Sequence, residues 1–557
     1  MCEPNSTTNK NEVQASRFKN IKDNILLGPE YPIHKESVNI AETILKTLKS
    51  KPDFIGQIDA LTDKKNTYAE MSERSIKCAL WLKKQGVKAG DIIGLCTDNN
   101  LDAIMVLLGV MYLNGKCNTW DHELSLITAR YFLSLTSPKI IFTIPLSAGN
   151  LTEAAKELKM DVKIVVLGKL DGYESLDDIL RGHNSREIAE FTCTPISNPD
   201  EVCLIVLSSG TTGMPKATEL SHFFMHNRLF PAKVDEMNGH ICLFTPTLRW
   251  LYGIMLAFNA ILEYFTRIVA PDCVTDDAED ACTKYCSFIK KYRVTIFATD
   301  PFILIQFVKT DVLEKYQLPT LKVIISAGAV FSKQQQEALT KKIPHVLIFN
   351  DYGSTDSGGP IAGQNKYSKP GSVGFPAHNV QIKITDTKTE SVLEVNKIGE
   401  IRIKAPFVMI GYYKNPEATK KTFDSDGWLC TGDLGYYDND GELFVVGRIS
   451  DFILFRSINV SPTEIETVLQ NHPAVFEAAV IGMPHEIDGQ RPMAVVSVVP
   501  GKTVTEQELI EFVEKSLPDH CRLRAGVKFI DKLPRTLTGK IVKKQLQSIF
   551  TNYYKLS

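Results

Sequence analysis

The chain is predicted to be an α/β protein: a large N-terminal domain of doubly wound sheets plus a small β-rich subdomain, followed by a small C-terminal α+β domain. Three observations carry this. Short apolar runs of strand length alternate with helix-period segments through the first half. From about residue 370 the texture changes to short alternating strands separated by Gly, Asp and Asn, as in GSVGFPAHNVQIKITD, GEIRIKAPFVMIGYY and GELFVVGR. Beyond Arg448 lies a separate set of helices and strands, roughly 110 residues and enough for a small domain.

In chain order, TYAEMSERSIKCALWLKKQ (67–85) places Met71, Ile76, Ala79, Leu80 and Leu82 at helical spacing, and Gly86 and Gly90 stop it. DIIGLC then reads as a strand and AIMVLLGVMYLNG as a buried helix. KIIFT (139–143) and KIVVLG (163–168) repeat the strand signal. After Arg448 the pattern gives a helix over 462–470, strands over 478–483 and 494–499, a helix over 505–517 and a strand over 527–530. The predicted organisation is therefore a polar lead and first helix (1–48), a large domain (49–448) and a small domain (449–557). The opening MCEPNSTTNKNEVQ is polar, lacks the apolar core of a signal peptide and reads as a disordered lead.

The segment LSSGTTGMPKATELSH (207–222) carries the chemistry. The apolar run Cys203 to Leu207 reads as a buried strand that empties into Ser208, Ser209, Gly210, Thr211, Thr212 and Gly213. Glycines let a backbone turn tightly and aim its N–H groups inward, and such a nest attracts phosphate oxygens. The four hydroxyls add neutral donors, Lys216 adds a positive charge, and Pro215 stiffens the exit. The spacing is not Gly-x-x-x-x-Gly-Lys-Ser/Thr, which argues against a Walker-type kinase or GTPase.

Ser-Ser-Gly-Thr-Thr-Gly-Met-Pro-Lys resembles the signature of the adenylate-forming enzymes, which include acyl-CoA synthetases, 4-coumarate–CoA ligases and beetle luciferases. Further motifs follow in the family's order, and the resemblance spans about residues 50 to 548. SAGAV (326–330) stands where the family lines the adenine site with small residues, here Ala327, Gly328 and Ala329. Tyr352-Gly353-Ser354-Thr355-Asp356 resembles Tyr-Gly-x-Thr-Glu. The resemblance implies that Tyr352 stacks on adenine, Thr355 meets the α-phosphate and Asp356 helps hold Mg²⁺. Asp433 in TGDLG is implied to accept the ribose hydroxyls, and Arg448 to make a second ribose or phosphate contact. Lys540 in PRTLTGKI resembles the mobile lysine that bridges carboxylate and α-phosphate. By the same resemblance the C-terminal domain is a mobile cap, Ser450 stands at its hinge, and the substrates are ATP, CoA and a carboxylic acid.

Several working positions depart from the family's pattern. Asp356 is one methylene shorter than the usual Glu, and Mg²⁺ demands ligands at about 2.0–2.1 Å. Ala217 replaces a glycine, and Ser450, followed by Asp451, stands where Asp or Lys is common. In ILFRSINVSP, Leu454 and Ser457 replace the usual lysine and glycine, while Arg456 occupies the position of a second luciferase lysine. In TPTLRWLYGIM (245–255), Arg249, Trp250 and Tyr252 fall in the region that lines the family's acyl pocket. Core packing explains these aromatics as well as a substrate role does. The apolar stretch LYGIMLAFNAILEYF (251–265) suits a greasy pocket. His222 reads as a structural neighbour of the phosphate loop rather than a base.

Composition narrows the setting. Among 557 residues, 44% are hydrophobic and 23% charged, which are globular values. A net charge of −2 gives no electrostatic reason to expect nucleic acid or an anionic membrane as partner. No apolar run of about 18 residues predicts a membrane span. The twelve cysteines are scattered, and Cys282 and Cys286 read as helix-packing residues. Free thiols favour a reducing compartment, cytoplasmic or peroxisomal. The terminal Tyr-Lys-Leu-Ser permutes the peroxisomal Ser-Lys-Leu, so that address is not evident.

Three functions are compatible with these residues. The leading one is an acyl-CoA synthetase activating a fatty or other hydrophobic acid. The others are a luciferase-type monooxygenase and a catalytically weakened nucleotide- or acyl-binding relative.

Overall fold

A computed structural model of the chain describes residues 21–34, 39–208, 215–229, 239–273, 278–456, 458–535 and 541–554. Among these, the strands form four sheets of eight, nine, six and five strands. Ser209 to Gly213, Ser457 and Lys540 lie outside the described residues, as do the polar lead through residue 20 and Asp276 and Asp277 of an acidic cluster.

The eight-stranded sheet is parallel through Val202–Ser208, Lys116–Trp120, Ile92–Cys96, Ile140–Thr143 and Lys163–Val166. The nine-stranded sheet has a parallel centre of Leu347–Ser354, Val323–Ala327, Ile296–Thr299, Ile241–Phe244, Thr266–Val269 and Ile55–Asp59. Helices cover the faces of both, as parallel strands require. The predicted helix forms over Tyr68–Lys84. Thr67 Oγ1 accepts from the Glu70 amide at 3.2 Å and Glu70 Oε2 accepts from the Thr67 amide at 2.7 Å, a reciprocal cap that fixes its start. Every residue of Ala103–Tyr112 is buried, in keeping with its unbroken apolar sequence.

The β-rich texture folds into the six-stranded antiparallel sheet, with Gln381–Thr385, Gly399–Lys404, Leu429–Tyr437 and Leu443–Arg448 in sequence. Its edge corrects the reading of residues 1–48 as lead and helix alone. Ile21–Lys22 and Ile25–Leu27 form a hairpin on this sheet, with Leu26 opposite Ile382. Asp23 (φ 53°) and Asn24 (φ 60°) make its two-residue turn, the left-handed geometry that such hairpins need.

The five-stranded sheet is built wholly from residues after Arg448. Val475–His485 pairs with Gly489–Val498 over its whole length, and the helices Pro462–Gln470 and Glu506–Ser516 enclose an apolar core that includes Ile465, Val480, Val496 and Val513. It meets the large domain through a few polar contacts. Lys309 Nζ donates to the Gln470 and Val475 carbonyls at 2.6 and 3.0 Å, and Gln335 Nε2 donates to Gln470 Oε1 at 2.7 Å.

Candidate active site

The apolar strand before the phosphate loop returns as an antiparallel hairpin. Val202–Ser208 pairs with Lys216–Ser221, and Ser208 stands opposite Lys216 at its open end. Tyr131 Oη donates to the Pro215 carbonyl at 2.8 Å and anchors the loop's exit. Ala217 packs as a buried residue just beyond.

A second hairpin faces this one. Leu347–Ser354 turns through residues 355–358 into Gly359–Gly363. Ser354 and Ser357 close the turn reciprocally: the Ser354 amide donates to Ser357 Oγ at 2.8 Å, and the Ser357 amide donates to Ser354 Oγ at 3.1 Å. Gly353 is required here, because a Cβ would lie 2.1 Å from the Gly359 carbonyl oxygen. The turn carries Thr355 and Asp356 toward the phosphate-loop exit. Asp356 Oδ2 accepts from Tyr412 Oη at 2.6 Å and Asp356 Oδ1 accepts from Thr218 Oγ1 at 3.2 Å. Lys216 Nζ lies 4.4 Å from the centre of the Tyr412 ring, a cation–π contact. Sequence reasoning missed Tyr412, which reaches this point because Gly411–Tyr412 pairs with the strand after the loop, Tyr412 opposite Thr218.

The predicted ribose contacts also converge. Asp433 and Arg448 are opposite one another on adjacent strands, and Arg448 Nε lies 2.8 Å from Asp433 Oδ1. Tyr352 Oη donates to Asp433 Oδ2 at 2.6 Å. Burial, then the Asp433 charge, raises the Tyr352 hydroxyl well above its ordinary range, so it stays a donor. Tyr352 and Asp356 thus tie one hairpin to two clusters, one through Asp433 and Arg448 and the other through Tyr412 and Lys216. Val323–Ala327 ends beside them. Gly328 turns with φ 97°, and Gly328 and Ala329 are exposed as a lip on the cleft.

Arg249 is held by two neighbours. It pairs with Asp121 and lies 5.1 Å from the Trp250 ring centre. Burial opposes ionisation of Asp121, yet the His122 hydrogen bond and the Arg249 guanidinium hold its carboxyl below the usual range. Trp250 stands at the N-terminal cap position of the helix Leu251–Leu262, whose Leu251, Ile254, Met255 and Phe258 join the main core. His222 is fully buried: its Nδ1 accepts from the Ile40 amide at 3.4 Å, and its Nε2 donates to Asn114 Oδ1 at 3.2 Å. Both nitrogens are used in a neutral tautomer, which suits a structural role. Burial lowers the His222 pKa from 6.5 to about 4. Between those values the unfolded chain binds a proton that the folded chain refuses, so stability falls as pH drops through that window. This one group costs about 3 kcal/mol by its lower end. Urea midpoints from pH 7 to pH 4.5 check this, and His222→Gln is expected to flatten the slope.

Ser450 is exposed in the single turn Ile449–Asp451, where its Oγ donates to Asp451 Oδ1 at 3.0 Å. Beyond it Leu454 is half-exposed, and Arg456 (φ 46°) pairs with buried Asp488, which Arg491 also contacts at 2.6 Å. The hydrogen bond from Arg456 is foremost in lowering the Asp488 carboxyl to about 2. Arg535 and Ile541, which flank Lys540 and its neighbours in the sequence, form an isolated antiparallel bridge. Arg535 pairs with Glu477, and its guanidinium lies 4.1 Å from the Phe302 ring centre on the large domain. Cys282 and Cys286 pack inside the helix Ala278–Lys291. Among the described residues no cluster of three His, Cys, Asp or Glu side chains is placed to hold a metal. No helix among them is long and apolar enough to cross a membrane.

Residues 46–413 match the AMP-binding enzyme family, and residues 464–540 match the AMP-binding enzyme C-terminal domain. The chain belongs to the AMP-binding enzymes. Among curated AMP-binding relatives, luciferin 4-monooxygenase of Luciola mingrelica is 30% identical over 95% of this chain and 98% of its own length. 4-Coumarate–CoA ligase 2 of Nicotiana tabacum is 30% identical over 86% and 89%. ATP-bound MatB from Rhodopseudomonas palustris superposes with a TM-score of 0.81 at 26% identity, covering 92% of this chain and 99% of its own. The luciferase-like enzyme of the nonluminescent mealworm Zophobas morio gives 0.69 at 28% identity, covering 76% and 99%. The adenylate-forming resemblance and the α/β class are thereby established, and this AMP-binding enzyme falls in the acid–thiol ligase class.

Proposed function

We propose that the chain joins a hydrophobic carboxylic acid, a fatty acid among the candidates, to the α-phosphate of ATP and then transfers the acyl group to CoA. The observation that carries this is the convergence of Lys216, Tyr412 and Asp356 with Tyr352, Asp433 and Arg448 on one hairpin beside the phosphate loop. The obstacle to the reaction is charge, since a carboxylate must approach a polyanion. Cations and N–H donors aimed at the phosphate lower that cost.

In this reading Ser208 to Gly213 and Lys216 cradle the phosphates, with Thr355 on the α-phosphate. Ala327, Gly328, Ala329 and Tyr352 with Gly353 and Ser354 frame the adenine, and Asp433 with Arg448 holds the ribose. Asp433 must exchange the Tyr352 donor for a ribose hydroxyl, a swap of like for like. Asp356 presents one carboxylate steadied by two hydroxyls. That fits Mg²⁺, which takes few protein ligands and completes its shell with phosphate and water. Bound there, the ion would neutralise charge on the phosphates. Lys540 bridges the acid and the α-phosphate during adenylation. Residues 449–557 then rotate about Ser450 and open the adenylate to the thiol. Domain gating of this kind orders two steps in one site.

Acid-dependent exchange of labelled pyrophosphate into ATP tests the first half, and thioester formation with CoA tests the second. Exchange and thioester with a hydrophobic acid are the expected outcome. Exchange without thioester assigns the defect to the Leu454 and Ser457 segment, and absence of both over acids from acetate to long-chain defeats the proposal. The luciferase relatives at 30–31% identity favour one alternative, oxidation of the adenylate by O₂. Light from luciferin, ATP and O₂ would identify it.

A further inference from the structure

The helix Leu251–Leu262 lies on one face of the nine-stranded sheet, and the layer between them is apolar. Leu256 and Ala260 pack there with Val323 and Ile325. Both rows lead toward the cleft. Four residues before Leu256 the helix places Tyr252, and two residues after Ile325 the strand places Ala327 on the same face. Ala327 pairs in register with Asp351 on the neighbouring strand. The apolar layer therefore ends at a phenol and a carboxylate, one residue before Tyr352 and beneath the exposed lip at Gly328 and Ala329.

Neither polar group meets a partner among the described residues, and Asp351 is only partly buried. Tyr252 Oη is shielded from solvent and has no hydrogen-bond partner. Among the described residues no cation or hydrogen-bond donor meets the Asp351 carboxylate. Burial lifts that carboxyl to about 7, and burial with the Asp351 charge raises the Tyr252 hydroxyl well above its ordinary value. Small residues leave the carboxylate room: Ala327 offers only a methyl, and a Cβ on Gly363 would come within 2.8 Å of Asp351 Oδ1. A shielded hydroxyl without a partner is costly, and a ligand group that pairs with Tyr252 Oη and the part-exposed Asp351 carboxylate recovers that cost.

We propose that Asp351 and Tyr252 recognise a hydrogen-bond-donating group, an amine or hydroxyl, on the body of the acid substrate. This rests on the adenylation proposed above and narrows its substrate class: an apolar acid carrying one polar donor away from its carboxylate. A site that keeps polar groups for such a donor rejects the analogue lacking it, because those groups are then buried unpaired.

The test uses the full chain and acid-dependent pyrophosphate exchange with two matched sets. These are cinnamate with its 4-hydroxy and 4-amino forms, and octanoate with its 8-hydroxy and 8-amino forms. The wild-type protein is expected to favour a donor-bearing member of one set by about tenfold or more in kcat/KM. Asp351→Ala is expected to abolish that preference and to raise kcat/KM for the plain acid, a gain that misfolding cannot produce. Asp351→Asn should keep the hydroxyl preference and lose the amine preference. Each change should appear in the KM of the acid and not in that of ATP. Equal use of plain and donor-bearing acids by wild type, or discrimination unchanged in Asp351→Ala, overturns the inference and leaves adenylation standing. No exchange with any acid overturns both.

Discussion

Replacing Lys540 with alanine is expected to lower acid-dependent adenylate formation by about a hundredfold to a thousandfold, the loss typical of one charge-stabilising donor at a reacting centre. Thiolysis of a supplied acyl-adenylate should stay within about threefold of wild type, because an interaction confined to the first transition state leaves the second untouched. The separation follows from where the residue is carried. Arg535 and Ile541, on either side of it in the sequence, are bridged, and Arg535 rests against Phe302 at the start of a large-domain helix. The lysine is therefore carried on the domain that is proposed to move between steps. Rapid-quench measurement of adenylate beside a thioester assay distinguishes the two. Equal losses in both steps would refute the assigned role.

The second large effect is expected at Asp433. It receives Tyr352 Oη at 2.6 Å and Arg448 Nε at 2.8 Å, and it is buried while Arg448 is about a third exposed. Asp433→Ala takes from the Tyr352 hydroxyl and the Arg448 guanidinium the carboxylate that they share and removes the proposed ribose contact. The KM for ATP is expected to rise by about tenfold to a hundredfold, the range for lost hydrogen bonds to a charged group. The KM for the acid should change little. Asp433→Asn keeps an acceptor and should fall between. A rise in the acid KM with the ATP KM unchanged would remove Asp433 from the nucleotide site.

Much of this was legible in the sequence because it is local. The strand before the phosphate loop, the helix capped by Thr67 and Glu70, and the helix Pro462–Gln470 each declare themselves within a few residues. The order of the motifs then located Tyr352, Asp356, Asp433 and Arg448. What escaped depends on pairing between distant segments. Leu26 meets Ile382 across the chain, so the short run Ile25–Leu27 has no visible partner in its own neighbourhood. Tyr412 lies in a Gly-Tyr-Tyr stretch with no periodicity of note, and only pairing with Thr218 brings it between Lys216 and Asp356. Arg249 falls in the segment expected to line the acyl pocket, and its partner Asp121, 128 positions earlier, could not be read from that segment. Asp351 drew no notice beside Tyr352, because nothing local shows that its strand face continues an apolar layer beneath a helix.

The most direct measurement is a crystal structure of the full chain with a non-hydrolysable acyl-adenylate analogue. Adenine is expected against Tyr352, the ribose hydroxyls on Asp433, the phosphate between Thr355 and the Thr211–Thr212 loop, and the acyl body running toward Tyr252 and Asp351. A nucleotide bound away from Tyr352 and Asp433 would contradict the assigned site outright.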